Sequence, residues 1–399
     1  MKIALISFHS FLRPGGVKSH ILGLNQEFKR RGLKSKIIVP RRKIEEDYGK
    51  DVILLGTSFS IPFGGGKSDF CVHFDPLAIE EILLQEKFDV LHFHNFGFPS
   101  SFQILERSRA LNILTFHSDI GRSEFLKEFP IFLYILEKII QWKIDGIIGV
   151  SQVALNVFEK CDLPKTVIPN GIDLEKFNPR VPKLKKFADS KINILFVGRI
   201  EERKGLIYLL RAYKLLEKKF KNLRLIIVGE GELKESCQAF AEDNNLKEVY
   251  FEGEKIGKEL ISYYTTSDIF CAPSIYGESF GIVLLEAMAC RLPVVAFANR
   301  GYKTLLGKKR SEKFLAKPKD YKDFAKKLEI LIKNKELKRK IGEWSRKEVQ
   351  RYSWGKICDQ ILDFYALCQK QKQKRKVETF SIEEEFEKIA NKDILDLLR

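Results

Sequence analysis

Two carboxylates, Glu278 and Glu286, bracket an apolar stretch that reads YGESFGIVLLEAMA from Tyr276 to Ala289. A helix that is apolar nearly all round is buried, and a buried carboxylate without a partner costs on the order of 1–3 kcal/mol or more. Glu286 therefore requires a salt bridge to an arginine or the two hydroxyls of a ribose. Glu278 precedes the expected helix start, where the backbone N–H groups of Phe280 and Gly281 can hold a phosphate. One acid for sugar hydroxyls, one for a ribose and an anion hole between them fit a nucleotide sugar.

Further candidates follow strand-like runs, where doubly wound sheets place their ligands. PGGVKSH (14–20) lets backbone N–H groups approach an anion at a helix start, although a plain turn reads as well. Its spacing is not G-x-G-x-x-G, which argues against a dinucleotide cofactor. In GRIEERKG (198–205), Arg199 and Lys204 suit a diphosphate leaving group, or are simply exposed cations at a helix start. All six histidines fall within the first 117 residues. His92 and His94 share one face of a strand end, yet no third ligand stands at a suitable spacing, so no metal is expected. His117, in LTFHSD, ends a strand that should open into a crevice. Asp-x-Asp, the G-x-S-x-G elbow and the Walker A loop are all missing from the sequence.

These residues need elements to hold them. A chain of 399 residues is long for one core, and domains of roughly 150–200 residues are expected. KIALISF (2–8), SKIIV (35–39), DVLHFH (89–94), NILTF (112–116) and DGIIGV (145–150) read as strands. GVKSHILGLNQEFKRRG reads as an amphipathic helix through Val17, Ile21, Leu24 and Phe28, closed by Gly32. After the Pro/Lys-rich NPRVPKLKKFADS (178–190) the pattern restarts with KINILFVGR (191–199). RLIIVGEG (224–231), EVYFEG (248–253), DIFCAPS (268–274) and PVVAF (293–297) follow. This alternation implies an α/β chain with parallel sheets covered on both faces. Two Rossmann-like domains, 1–172 and 191–352, are joined by a linker at 173–190. SWGKICDQILDFYALC (353–368) is an amphipathic helix expected to pack back on the first domain. Residues 369–399 read as a solvated basic tract followed by a tail helix at 378–398.

Composition narrows the class of protein. Apolar residues at 44% and charged residues at 31% are ordinary for a globular chain. A formal net charge of +17 favours an anionic partner, unless it reflects only a Lys-rich proteome. No RRM-, KH- or helix-turn-helix-like signature is present, so nucleic acid is not expected. Seven scattered cysteines without a C-x-x-C pair argue for reduced thiols. Neither a signal peptide nor a membrane-spanning stretch is expected.

The Glu-x7-Glu spacing in GESFGIVLLE, together with GRIEERKG, PGGV, the strand-end His117 and PNGID (169–173), resembles the retaining GT-B glycosyltransferases of glycosyltransferase family 4. The resemblance spans about residues 1–368. Within that family, PGGVKSH, FDVLHFHN (88–95), TFHS (115–118) and CAPSIYGESFGIVLLEAMA (271–289) are similar to the phosphatidylinositol mannosyltransferase group. It implies a GT-B fold with an acceptor domain first and a nucleotide-sugar domain second. It implies GDP-mannose as donor, an inositol phospholipid as acceptor, no metal or other cofactor, and a cytoplasmic protein peripheral at the inner face of the cell membrane. Gly16 would donate its N–H near the diphosphate, and Arg199 and Lys204 would neutralise that group as it leaves. His117 would hydrogen-bond the transferred sugar and stabilise charge developing on it. Glu278 would hold donor-sugar hydroxyls, Glu286 the ribose, and Ile282 would line the nucleotide pocket. Retention without an enzymic nucleophile implies front-face attack.

Two departures bear on the acceptor. Where that group has a polar Tyr-Asn loop this chain has IPFGGGKSDF (61–70), in which Lys67 can meet a phosphate, and Lys18 stands in place of a Gln. Another lipid or glycan acceptor, or a UDP-sugar donor, stays open; so does a non-catalytic polyanion-binding protein of the same fold. Lys29, Arg30, Arg31, Lys34, Lys36, Arg41, Arg42 and Lys43 form either a patch for anionic lipid, on the order of 1 kcal/mol per cation, or a solvated helix face.

Overall fold

The computed structural model describes residues 1–374 except 10, 13, 14, 44, 64, 65, 74, 97, 98, 119–137, 308 and 309, and for 60–70 and 76 describes the backbone only. The expected tail helix at 378–398 lies outside the described residues. No helix among them is long and apolar enough to cross a membrane.

Two sheets divide the chain. The first runs in the order β4-β3-β2-β1-β5-β6-β7-β8. Its strands are β1 (Lys2–Ser7), β2 (Lys34–Arg41), β3 (Val52–Phe63), β4 (Gly66–Val72), β5 (Val90–His94), β6 (Leu111–Phe116), β7 (Gly146–Gly149) and β8 (Lys165–Val167). The second sheet runs β11-β10-β9-β12-β13-β14. It is built from β9 (Ile192–Val197), β10 (Leu223–Val228), β11 (Val249–Phe251), β12 (Ile269–Ala272), β13 (Val294–Phe297) and β14 (Leu315–Ala316). All neighbours pair in parallel except β3 and β4. The order reverses beside β1 in one sheet and beside β9 in the other, which is where such folds bind ligands. PGGVKSH follows β1 and GRIEERKG follows β9, so both loops sit at those points.

Every run read as a strand forms one, and β3, β4, β8 and β14 are additions. β8 and β14 are three and two residues long, too short to show a period. β3 carries Gly56 in a positive-φ turn of the backbone and Pro62 near its end, and both interrupt strand patterning. Within IPFGGGKSDF, residues 61–63 and 66–70 lie in an antiparallel strand pair, with Pro62 opposite Lys67 and Phe63 opposite Gly66.

The chain crosses to the second domain and returns along the same seam, where Ile172 N–H donates to Tyr352 C=O at 2.8 Å. A helix over 354–374 then packs back on the first domain. Its apolar positions Ile357, Cys358, Ile361, Phe364, Tyr365 and Cys368 recur at helical spacing. They bury in one cluster with Ile3, Leu5, Ile21 and Phe28. The start of the basic tract continues this helix and is exposed as expected except at Lys372, whose Nζ pairs with Asp145 at 2.7 Å and donates to Ala110 C=O. In the basic cluster at and after the end of the first helix, Gly16–Arg30, several cations sit in ion pairs. Lys29 pairs with Asp51, Arg30 and Arg31 with Glu27, and Lys36 with Glu86. Arg31 also reaches Asp359 and Gly355 C=O on the returning helix, both at 2.6 Å.

Trp354, at the start of the returning helix, is wedged between two glycines. A Cβ at Gly23 would stand 2.3 Å from the indole, and one at Gly171 2.5 Å. Gly23→Ala would gain roughly 1 kcal/mol in helix propensity, but a ring gripped on both sides cannot yield. Overpacking costs typically 1–3 kcal/mol. The variant is expected to lose up to about 2 kcal/mol net in urea unfolding.

Candidate active site

The donor side is built by loops packed so closely that only glycine fits at their contacts. At Gly205 (φ +67°) a Cβ would stand 2.2 Å from Pro273 C=O, and at Gly281 (φ +97°) 2.5 Å from the Tyr302 ring. Ile275 N–H donates to Arg203 C=O at 2.8 Å, clamping the loop after β9 onto the loop after β12. This packing brings Lys204 Nζ to 2.5 Å from Glu278 Oε1, with Arg203 Nη1 at 3.5 Å. Burial alone would raise the pKa of Glu278, but the two cations and the Lys204 hydrogen bond outweigh it and hold the carboxyl below its ordinary value. Glu278 is therefore ionised and charge-paired while only 9% exposed.

Arg203 also meets Glu201 at 2.5 Å. Arg199 does not reach Glu278: its guanidinium is 58% exposed and faces Glu201 at 3.4 Å. The sequence reading named Arg199 and Lys204 and passed over Arg203, which lies between them in the same motif.

The helix Ile282–Ala289 starts at Gly281 with no side-chain cap, so its first N–H groups remain available to an anion. Phe280 is anchored in the core against Tyr352, with ring centroids 5.9 Å apart. Only its backbone can serve a ligand. No arginine pairs with Glu286 among the described residues. Its Oε2 accepts from the Tyr264 hydroxyl at 2.6 Å, and burial raises its pKa despite that bond.

The opposite wall comes from the first domain. Gly16, at the start of its helix, faces Ile282: a Cβ there would stand 3.3 Å from Ile282 Cδ1. His117 follows β6, and its N–H donates to Asn95 Oδ1 at 2.7 Å. The Ser279 hydroxyl donates to His117 C=O, joining the residue next to Glu278 to the opposite wall. His117 packs in a cluster with His20 and His94, at ring-centroid distances of 4.8 and 5.4 Å. Burial, then the neighbouring histidines, push its pKa well below the ordinary value. At neutral pH His117 is thus an uncharged imidazole. It can offer a lone pair to a sugar without repelling positive charge that develops there.

His92 belongs to the scaffold: its ring nitrogens pair with Thr115 Oγ1 and the Tyr365 hydroxyl, both at 2.6 Å. Lys18 turns inward, its Nζ donating to Phe11 C=O at 2.5 Å, and burial lowers its pKa. Lys67 has its backbone in β4, while its side chain lies outside the described residues.

Comparison with known proteins identifies the family and the fold. The profile of glycosyl transferases group 1 matches residues 179–348, and that of Glycosyltransferase Family 4 matches 14–176. A phosphatidyl-myo-inositol mannosyltransferase of Mycobacterium leprae is 30% identical over 371 residues, 92% of this chain and 96% of that protein. The capsular polysaccharide biosynthesis glycosyltransferase CapM of Staphylococcus aureus is 30% identical over 264 residues, 61% of this chain and 67% of that one. Among solved structures, sucrose-phosphate synthase from Thermosynechococcus elongatus superposes with a TM-score of 0.74 at 20% identity, covering 92% of this chain and 98% of that one. Anabaena HepE in complex with UDP and glucose gives 0.72 at 18%, covering 92% and 99%. Two Rossmann-like domains of this kind define a GT-B glycosyltransferase. The chain belongs to glycosyltransferase family 4, and it is a hexosyltransferase.

The raised pKa of Glu286 has a thermodynamic consequence. A carboxyl whose folded pKa exceeds its unfolded value of 4.5 destabilises the fold progressively as pH rises through that window, because the charge must then be buried. Glu286→Gln keeps an acceptor for Tyr264 and removes the charge. Its melting temperature at pH 7 is expected to exceed wild type, by roughly 2–4 °C per kcal/mol relieved, with the gap closing toward pH 4.5. Thermal melts at the two pH values check this.

Proposed function

We propose that this glycosyltransferase is a retaining mannosyltransferase moving mannose from GDP-mannose to a phosphatidylinositol-type lipid at the cytoplasmic membrane face. The observation that carries the reading is the contact between Ser279 and His117. It puts an ionised acid with its lysine on one wall and a neutral imidazole on the other. Similarity to phosphatidyl-myo-inositol mannosyltransferases over 92% of the chain supports the choice of donor and acceptor.

In this reading the diphosphate lies at the open start of the Ile282–Ala289 helix, met by the N–H groups of Phe280 and Gly281 and of Gly16 opposite. Lys204, shared between Glu278 and the phosphate, and Arg199, swinging from its exposed position, neutralise the leaving group, so no metal is required. Glu278 holds sugar hydroxyls and Glu286 receives the ribose through the oxygen that Tyr264 does not use. Ile282 lines the nucleotide pocket. The acceptor hydroxyl attacks from the face the phosphate leaves, giving up its proton to that phosphate. His117 stays neutral beside the sugar as positive charge grows there.

The β3–β4 hairpin favours a second reading for the acceptor alone. A paired hairpin where the mannosyltransferase group has a polar loop suits a lipid or glycan other than an inositol phospholipid. Lys18, tied to Phe11, must change partner to serve an acceptor phosphate.

A donor panel tests the proposal: transfer from GDP-mannose, UDP-glucose and UDP-N-acetylglucosamine, with and without phosphatidylinositol vesicles. Turnover is expected with GDP-mannose and those vesicles, and turnover only with UDP donors would overturn it. Glu278→Ala should lose on the order of 10²-fold or more in transfer, the scale of one lost transition-state contact. Its affinity for GDP should change far less, and an equal loss of both would place Glu278 on the nucleotide instead of the sugar.

A further inference from the structure

Three histidines that are far apart in sequence meet at the crevice. His20 comes from the first helix, His94 from the end of β5 and His117 from the end of β6. One ring nitrogen from each lies within 4.8 Å of the others. His94 Nδ1 and His117 Nε2 are 3.1 Å apart. That is close to the edge of about 3.3 Å between two nitrogens held at 2.0–2.1 Å in a tetrahedral zinc site.

The cluster is poorly satisfied as a packed core. His20 is 2% exposed and neither of its ring nitrogens has a hydrogen-bond partner. His94 is fully buried with Nε2 likewise unpartnered. Asn170, whose side chain neighbours His20 and His117, has a buried Oδ1 without a partner. Buried polar atoms are nearly always paired, so the unpaired ring nitrogens of His20 and the unpaired Asn170 Oδ1 are what a site awaiting an ion shows.

We propose that His20, His94 and His117 form a binding site for one transition-metal ion of the Zn²⁺ class, with its fourth position open to the crevice. Three imidazoles without a carboxylate suit Zn²⁺, Co²⁺, Ni²⁺ or Cu²⁺, and not Mg²⁺ or Ca²⁺, which take oxygen ligands. Asn170 Oδ1 is placed to accept from a ring N–H, the usual outer support of a ligating histidine. Only His117 of the three is partly exposed, so an ion enters and keeps its fourth ligand on that side. The seven cysteines are buried elsewhere and supply no ligand to the group.

The ion would replace the proton that His94 and His117 now share and would withdraw His117 from a sugar. Zn²⁺ would then inhibit transfer and Mg²⁺ would not. This consequence rests on the function proposed above, whereas the site itself does not.

Co²⁺ titration of the full chain tests the site without an activity assay. A tetrahedral visible band saturating at one equivalent and displaced by Zn²⁺ is expected. His20→Gln and His94→Gln should each weaken binding at least as much as the roughly 10–100-fold that loss of an outer-shell partner costs. Should either variant unfold, the nitrogen hyperfine pattern of Cu²⁺ bound to wild type answers the same question. Absence of a saturable band, a band unchanged in both variants, or an oxygen-only Cu²⁺ signal would overturn the proposal. One-equivalent binding that leaves transfer intact would keep the site and overturn the role of His117 in the reaction.

Discussion

The structure depends most on one ion pair, Lys204 with Glu278, held where water barely reaches. A charge in such a place is tolerated only with a partner, and breaking a buried pair by removing one member costs about 3–5 kcal/mol. The pair therefore fixes the loop after β9 against the loop after β12. Backbone packing removes any remaining slack: a Cβ at Gly301 would stand 2.0 Å from Glu278 C=O. The acid, its lysine and the uncapped start of the Ile282–Ala289 helix are thus one rigid arrangement. In the function proposed above, a phosphate at that helix would meet a lysine already largely desolvated and held in place by Glu278.

The facing wall is organised by neutrality instead of charge. Burial disfavours protonation of the crevice histidines, so these rings bring no fixed positive charge to this wall. The helix over 354–374 maintains that environment. Its Trp354 lies edge-on to His20 at 5.1 Å, and Tyr365 holds His92. Both histidines therefore answer to a helix that the chain supplies only after finishing the second domain. Closing the first domain with the last described helix ties the two halves together beside the site, and it gives Arg31 a partner in Asp359.

Much of this was legible in the sequence because it is local. The Glu-x7-Glu spacing, the glycine loops and the alternation of strand and helix each fall within one element and its neighbours. What the sequence concealed is long-range. His20 sits inside an amphipathic helix pattern and looks like one of its polar positions; nothing in its spacing announces His94 and His117. Tyr264 comes from a different helix than Glu286, so a tyrosine hydroxyl as partner for that acid could not be separated from an arginine or a ribose. β4 exists only through its pairing with β3, and Lys18 reads as an exposed cation until Phe11 C=O is found beside it. Arg203 was hidden by its own motif, where the flanking Arg199 and Lys204 drew the assignment although Arg199 does not reach Glu278.

The central claim is that Lys204 stands between Glu278 and the diphosphate of the donor. The most direct measurement compares the affinities of GDP and GMP for wild type and for Lys204→Met, with folding of the variant verified by its melting curve. Wild type should prefer GDP through the second phosphate, and the preference should collapse in the variant by about tenfold or more, the scale of a charge-assisted hydrogen bond of roughly 1.5–3 kcal/mol. An undiminished preference for GDP in Lys204→Met would contradict the account, since the lysine would then serve only to hold Glu278 in place.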